Sequence, residues 1–100
     1  MSFVSITIWR LTGETETLEH VTQLMRDKYF PGLLRLGATR SMVADTGLDR
    51  FAIVTIYPSR AVRDAALEHI TELRSAGAED FGAELMDAHS GDILAQTGAP

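Results

Sequence analysis

Residues Phe51-Ala-Ile-Val-Thr-Ile-Tyr57 read as a β-strand that is apolar on both faces. A strand with one solvated face alternates apolar and polar side chains, whereas one covered on both sides becomes a near-continuous run of Val, Ile and aromatic residues. The remaining chain offers one similar strand and two amphipathic helices, and two helices cover only one side of a sheet. The other side needs a partner. In a chain of 100 residues the simplest partner is a second copy, so a homodimer through the sheet face away from the helices is expected.

One hundred residues suit one domain, 1–100, whose core removes roughly 60 to 70% of the unfolded chain's surface from water. Apolar residues at 45% and charged residues at 23% fit an ordinary globular protein. A net charge of -5 without a basic stripe argues against nucleic acid as a partner. The absence of cysteine excludes disulfides, thiolate metal sites and cysteine nucleophiles. Polar residues interrupt the apolar ones at the N-terminus and no basic region precedes them, so this segment reads as a strand and not a signal peptide. No stretch approaches a membrane span, and a cytoplasmic protein with no membrane partner is expected.

The first strand is predicted over 3–11, with Val4, Ile6 and Ile8 on one face and Phe3, Ser5, Thr7 and Trp9 on the other. A helix with Glu14, Glu16 and Glu19 in its first turns follows, carries the stripe Leu18, Val21, Met25 and Tyr29, and is expected to end at Pro31-Gly32. A second strand over 33–44, a turn at Asp45-Thr46-Gly47 and the strand at 50–57 form a hairpin. Ser59 is placed to cap a second helix over 60–76, with Val62, Ala66, His69 and Leu73 facing inward and Gly77 ending it. Residues 84–88 and 92–96 are expected to pair as a short hairpin about Ser90-Gly91, and 98–100 to fray. The fold class is thus α+β, a ferredoxin-like βαββαβ antiparallel sheet with two helices on one face, whose first and third strands are central.

The first strand ends in Arg10-Leu11, and the third closes in Tyr57-Pro58-Ser59 before the second helix. With this element order over the whole chain, the sequence resembles the antibiotic-biosynthesis-monooxygenase-like group of the dimeric α/β-barrel superfamily. The resemblance implies a dimeric barrel with a pocket between sheet and helices in each subunit. Its members include cofactor-free oxygenases of aromatic polyketides or quinols, haem-degrading monooxygenases, small isomerases and proteins without known activity. The haem-degrading members carry Asn before the Arg-Leu pair, and Trp and His on the second helix. Here Trp9 precedes Arg10, Ala66 stands where that Trp is expected, and there is no Asn, so no cofactor is carried over.

Six residues are candidates for the site. His69 lies by periodicity among Val62, Ala66 and Leu73, either as a buried general base with a lowered pKa or as a core histidine satisfied by a hydroxyl or carbonyl. Trp9 shares a strand face with Ser5 and Thr7, small polar residues that leave room beside the ring, which suits either a ligand pocket or the dimer seam. Tyr57 lines the pocket or packs as core. Arg40, in phase with Leu36, Ala38 and Met42, is expected in the interior or the interface, stabilising an anion. Arg60 and Arg63, in the first turn of the second helix and against the dipole preference, either meet an anion there or are explained more simply by pairing of Arg60 with Asp64 at i, i+4. His20 is read as solvated and His89 as a loop residue near the pocket mouth; the three histidines lack metal-ligand spacing, and no metal is expected. The leading expectation is a cofactor-free monooxygenase of an aromatic or quinol-like molecule. Its alternatives are a non-catalytic ligand-binding or stress-response module and a cofactor-free isomerase or cyclase.

Overall fold

A computed structural model describes residues 1–13 and 16–98 and gives four strands, β1 (Phe3–Leu11), β2 (Arg40–Gly47), β3 (Arg50–Tyr57) and β4 (Ala83–Asp92). They form one antiparallel sheet in the order β2-β3-β1-β4, so the two most apolar strands are central, as the ferredoxin-like order requires. Helices α1 (Leu18–Leu24), α2 (Phe30–Arg35), α3 (Arg60–Ala65) and α4 (Leu67–Phe81) connect them. The placement of Glu14 and the fraying of Ala99 and Pro100 lie outside the described residues. Among the described residues no helix is long and apolar enough to cross a membrane.

The register divides the sheet into two chemically different faces. Phe3, Ser5, Thr7 and Trp9 stand opposite Tyr57, Thr55, Ile53 and Phe51, and except for the half-buried Ile53 all are buried under the helices. Val4, Ile6 and Ile8 stand opposite Ile56, Val54 and Ala52 on the face that the helices leave open. Beneath the helices the core forms two clusters. One holds Trp9, Val21, Met25, Tyr29, Phe51 and Phe81, and the other Phe3, Leu33, Tyr57, Ala66 and Ile70. In the first, Trp9 stacks on Phe51 at 6.1 Å and meets Phe81 edge-on at 5.9 Å. Such pairs add about 0.5–1.5 kcal/mol each beyond the burial of their area.

Several boundaries differ from the sequence reading, each for a local reason. Pro31 does not end the first helix. A π turn at Met25–Tyr29 precedes it, with the Phe30 N–H donating to the Met25 carbonyl, and Pro31 then occupies the first turn of α2, where its missing N–H is not needed. Residues 33–35 are consequently helical and β2 begins only at Arg40. Gly77 does not end α4 either. Its bare backbone packs against the Phe81 ring, and Gly82, with φ 64°, supplies the left-handed C-cap. The last strand is a single ten-residue run beside β1, not a hairpin about Ser90-Gly91.

The β2–β3 hairpin turns at Leu48 and Asp49, which have φ 54° and 60°, and Thr46 is absorbed in a register shift before it. Two successive positive φ angles match the type I′ turn that fits strand twist and favours Asn and Gly. Leu48, 93% exposed, gains no burial in return for that conformation. Leu48→Asn is therefore expected to stabilise the fold by about 0.5–1 kcal/mol, seen as a higher urea midpoint with an unchanged slope.

Candidate functional site

Between the two core clusters the strands carry short polar side chains where large apolar ones would otherwise meet. Ser5, Thr7 and Thr55 are buried there, and a cavity of about 50 Å³ lies above them, beneath the helices. Its apolar wall is formed by Trp9, Met25, Leu33, Ile53, Ile70 and Phe81. Its polar groups come from Ser5, Thr7, Thr55, Tyr57 and Arg74, and the Tyr29 ring also lines it. By volume it holds on the order of three or four water molecules.

The polar lining is ordered by hydrogen bonds. The Trp9 indole Nε1 donates to Thr7 Oγ1 at 2.8 Å, which fixes the ring as a wall of the cavity. Thr55 Oγ1 and Ser41 Oγ lie 2.9 Å apart across the β2–β3 pair. Arg74 reaches down from α4, and its Nη2 donates to Ser5 Oγ at 3.1 Å. The Tyr29 hydroxyl points outward and donates to Asp80 Oδ2 at 2.5 Å, where Lys28 Nζ also donates at 2.9 Å. Tyr57 is 1% exposed, and its hydroxyl has no hydrogen-bond partner among the described residues.

These environments shift the ionisation of the lining groups. Burial, followed by the bond to Asp80 and its charge, pushes the Tyr29 hydroxyl well above its ordinary value. Burial raises Tyr57 as well, opposed by the positive charges of Arg74 and Arg63. Arg74 is lowered by burial, opposed by Tyr57 and reinforced by Arg63. The Tyr29 and Lys28 hydrogen bonds hold Asp80 below the usual carboxylate range. At neutral pH the cavity therefore presents hydrogen-bond donors and one cation, and none of its lining side chains is a carboxylate or imidazole.

Four of the six residues singled out from sequence, Ser5, Thr7, Trp9 and Tyr57, come together in this lining. His69 does not. It is exposed, beside an open hollow of about 330 Å³ bordered by Gly32, Arg35 and Glu72, and Leu73 is the wall between that hollow and the cavity. The expectation of a buried His69 fails because the second helix breaks at Ala66, with φ -100° and ψ 1°, and α4 restarts with Ile70 facing inward. Arg40 is exposed opposite Ile56 on the open sheet face, since β2 starts there and the phase drawn from Leu36 and Ala38 does not extend into it. His89 lies on that same open face opposite Ile6, paired with Asp87 at 2.8 Å, and not near the cavity. His20 is exposed, its Nε2 3.1 Å from the Asp80 carbonyl oxygen. Arg74, Tyr29 and Thr55 were missed. A helical phase drawn from Ile70 and Phe81 would have found Arg74, which lies four residues after one and seven before the other.

No protein-family model and no curated protein matches the sequence. Solved structures do match the fold. A dimeric ferredoxin-like protein from an uncultured marine organism is similar with a TM-score of 0.72 and 15% identity, covering 99% of this chain and 100% of that one. HapK from Hahella chejuensis gives 0.68 and 18%, over 100% and 99%. A candidate antibiotic biosynthesis monooxygenase from Chloroflexus aurantiacus gives 0.63 and 16%, over 98% of each chain. The fold is therefore the ferredoxin-like one of these proteins.

The Tyr29–Asp80 bond can be tested by pH. With Asp80 depressed, the stability it contributes is present above the ordinary carboxylate value of 3.8 and is lost as pH falls through its folded pKa. With Tyr29 raised, stability is lost as pH rises past 10.0, where tyrosines of the unfolded chain ionise and Tyr29 does not. Tyr29→Phe is expected to flatten both limbs of a stability–pH curve from urea titrations and to raise the Asp80 pKa in a carboxyl NMR titration.

Proposed function

With the ferredoxin-like fold of dimeric proteins as the premise, we propose that residues 1–100 act as one domain of a homodimeric barrel whose cavity takes a small, flat, mostly apolar molecule of the hydroxyaromatic or quinol kind and oxygenates it without a bound cofactor. The observation that carries this reading is the cavity itself: aromatic and aliphatic walls around hydroxyl groups, between sheet and helices. A ring-sized ligand needs about 150 Å³. Room for it comes from the half-buried side chains of the wall, Leu73 and Arg74, moving outward.

Donors without a neutral-pH base suit a substrate that ionises readily, because the site stabilises the anion without having to take its proton. The substrate anion gives its electrons to dioxygen. One oxygen atom bonds to a substrate carbon, the other leaves as water, and the two hydrogens lost by the substrate end in that water, so no separate reductant is required. The same lack of a base weighs against an isomerase or cyclase. It favours a non-catalytic binding or stress-response module as the second reading, and oxygen uptake in the presence of a quinol separates the two.

The dimer is supported by the open face, where Val4, Ile6, Ile8, Val54 and Ile56 stay half-exposed and Met42 is exposed. Apolar patches of this kind mark interaction surfaces. Similar folds include proteins described as dimeric. Light scattering during size-exclusion chromatography is expected to report a dimer at low micromolar concentration; a monomer would overturn the reading. Ile6→Asp and Val54→Asp, opposite one another in the register, are each expected to cost several kcal/mol and abolish dimerisation, since an obligate interface of about 2,000 Å² would bury an unpaired charge. For the cavity, Trp9 is the single tryptophan and sits in its wall, so its fluorescence should respond saturably to a hydroxyaromatic ligand. Silence of Trp9 across a panel of quinols and hydroxylated aromatics would remove the ligand-binding reading.

A further inference from the structure

In a chain with 14 acidic and 9 basic residues, one arginine, Arg74, lines the cavity, and two more, Arg60 and Arg63, lie over the Phe3 ring outside that lining. Arg60 and Arg63 place their guanidiniums 5.0 and 4.7 Å from the Phe3 ring centroid, and Phe3 is the strand partner of Tyr57. Arg63 also pairs with Asp64, Nε to Oδ1 at 2.9 Å. Arg74 has no such partner. It forms no ion pair among the described residues, and its hydrogen bond goes to the neutral hydroxyl of Ser5. Its own helix offers none, because the residues three and four positions away are Ile70, Thr71, Gly77 and Ala78.

A half-buried guanidinium without a counter-charge is unfavourable, since desolvation is not offset by Coulomb attraction. Five N–H donors in a planar fork match two coplanar oxygens or one exposed oxyanion. Beside it, the Tyr57 hydroxyl has no hydrogen-bond partner among the described residues, and the charges of Arg74 and Arg63 act on it against the effect of burial. A phenolic donor and an unpaired guanidinium thus face a cavity whose other polar groups are the neutral hydroxyls of Ser5, Thr7 and Thr55.

We propose that the Arg74 side of the cavity is an anion site: Arg74 and the Tyr57 hydroxyl, with Arg63 behind them, receive the ionised oxygen of an aromatic acid, carboxylate or phenolate, whose ring enters the cavity. The proposal rests on the reading that the cavity binds a ligand, and it names the ligand's charge and its receptor. In doing so it moves anion stabilisation from Arg40, on the wrong face of the sheet, to Arg74. Arg74 is also the charged member of the lining, so it binds the anion while yielding space for the ring.

The test compares benzoate with its neutral analogue benzamide by Trp9 fluorescence, and follows 4-nitrophenol by the absorbance of its phenolate. Wild-type protein is expected to bind benzoate at least about tenfold more tightly than benzamide. Arg74→Met should remove that preference while leaving benzamide affinity within about twofold, and Tyr57→Phe should reduce it in part. Preference for benzoate alone identifies a carboxylate ligand. Phenolate appearing on bound 4-nitrophenol below its free midpoint, without a benzoate preference, identifies a phenolate. Benzamide binding as well as both anions in wild-type protein overturns the anion site and leaves the cavity reading standing. Binding of none of the three removes both. A preference that survives Arg74→Met also overturns the assignment, and if that variant does not fold, the wild-type comparison decides alone.

Discussion

The stacking of Trp9, Phe51 and Phe81 fixes the distance between sheet and helices, and most of the architecture follows from it. Trp9 and Phe51 are strand partners on the two central strands, and Phe81 closes the last turn of α4 over them. With these rings at one end and Phe3, Tyr57 and Ile70 at the other, the layers are propped apart by large side chains at both ends. Between the props the strands carry Ser5, Thr7 and Thr55, too short to fill the gap. The cavity is the result of that sequence arrangement, and the hydroxyl groups that fail to fill it also make it polar.

The helices adapt to this spacing. The π turn at Met25–Tyr29 brings Met25 and Tyr29 to the cavity wall and prepares the chain for Pro31. The break at Ala66 lets α3 pack Val62 near Gly37, while α4 independently turns Ile70, Gly77 and Phe81 inward. Departures of this type cost regular hydrogen bonding, and in both cases they bring a side chain to the lining.

The strand faces were legible because alternation with a period of two leaves no freedom once one face is apolar. Ser5, Thr7 and Trp9 could thus be grouped from sequence and are found in one lining. The helical side was less legible, since a break or a π turn changes the phase by about one residue and periodicity assumes none. His69 and Ile70 are neighbours, and a single residue of phase decides which faces the sheet. Arg74 was overlooked for a related reason. A charged residue on a helix is ordinarily solvated, and the lack of a carboxylate three or four residues away, which Arg74 shares with Arg26, Arg35 and Arg63, does not by itself mark it.

A void inside a folded protein is volume that unfolding returns to the solvent. A cavity of about 50 Å³ is about 30 mL per mole of space, and the contraction of a protein on unfolding scales with such space without equalling it. Hydrostatic pressure therefore acts on this fold through the gap between the two core clusters. The same gap, once occupied, is no longer there to be compressed, so an occupied subunit resists pressure that an empty one does not.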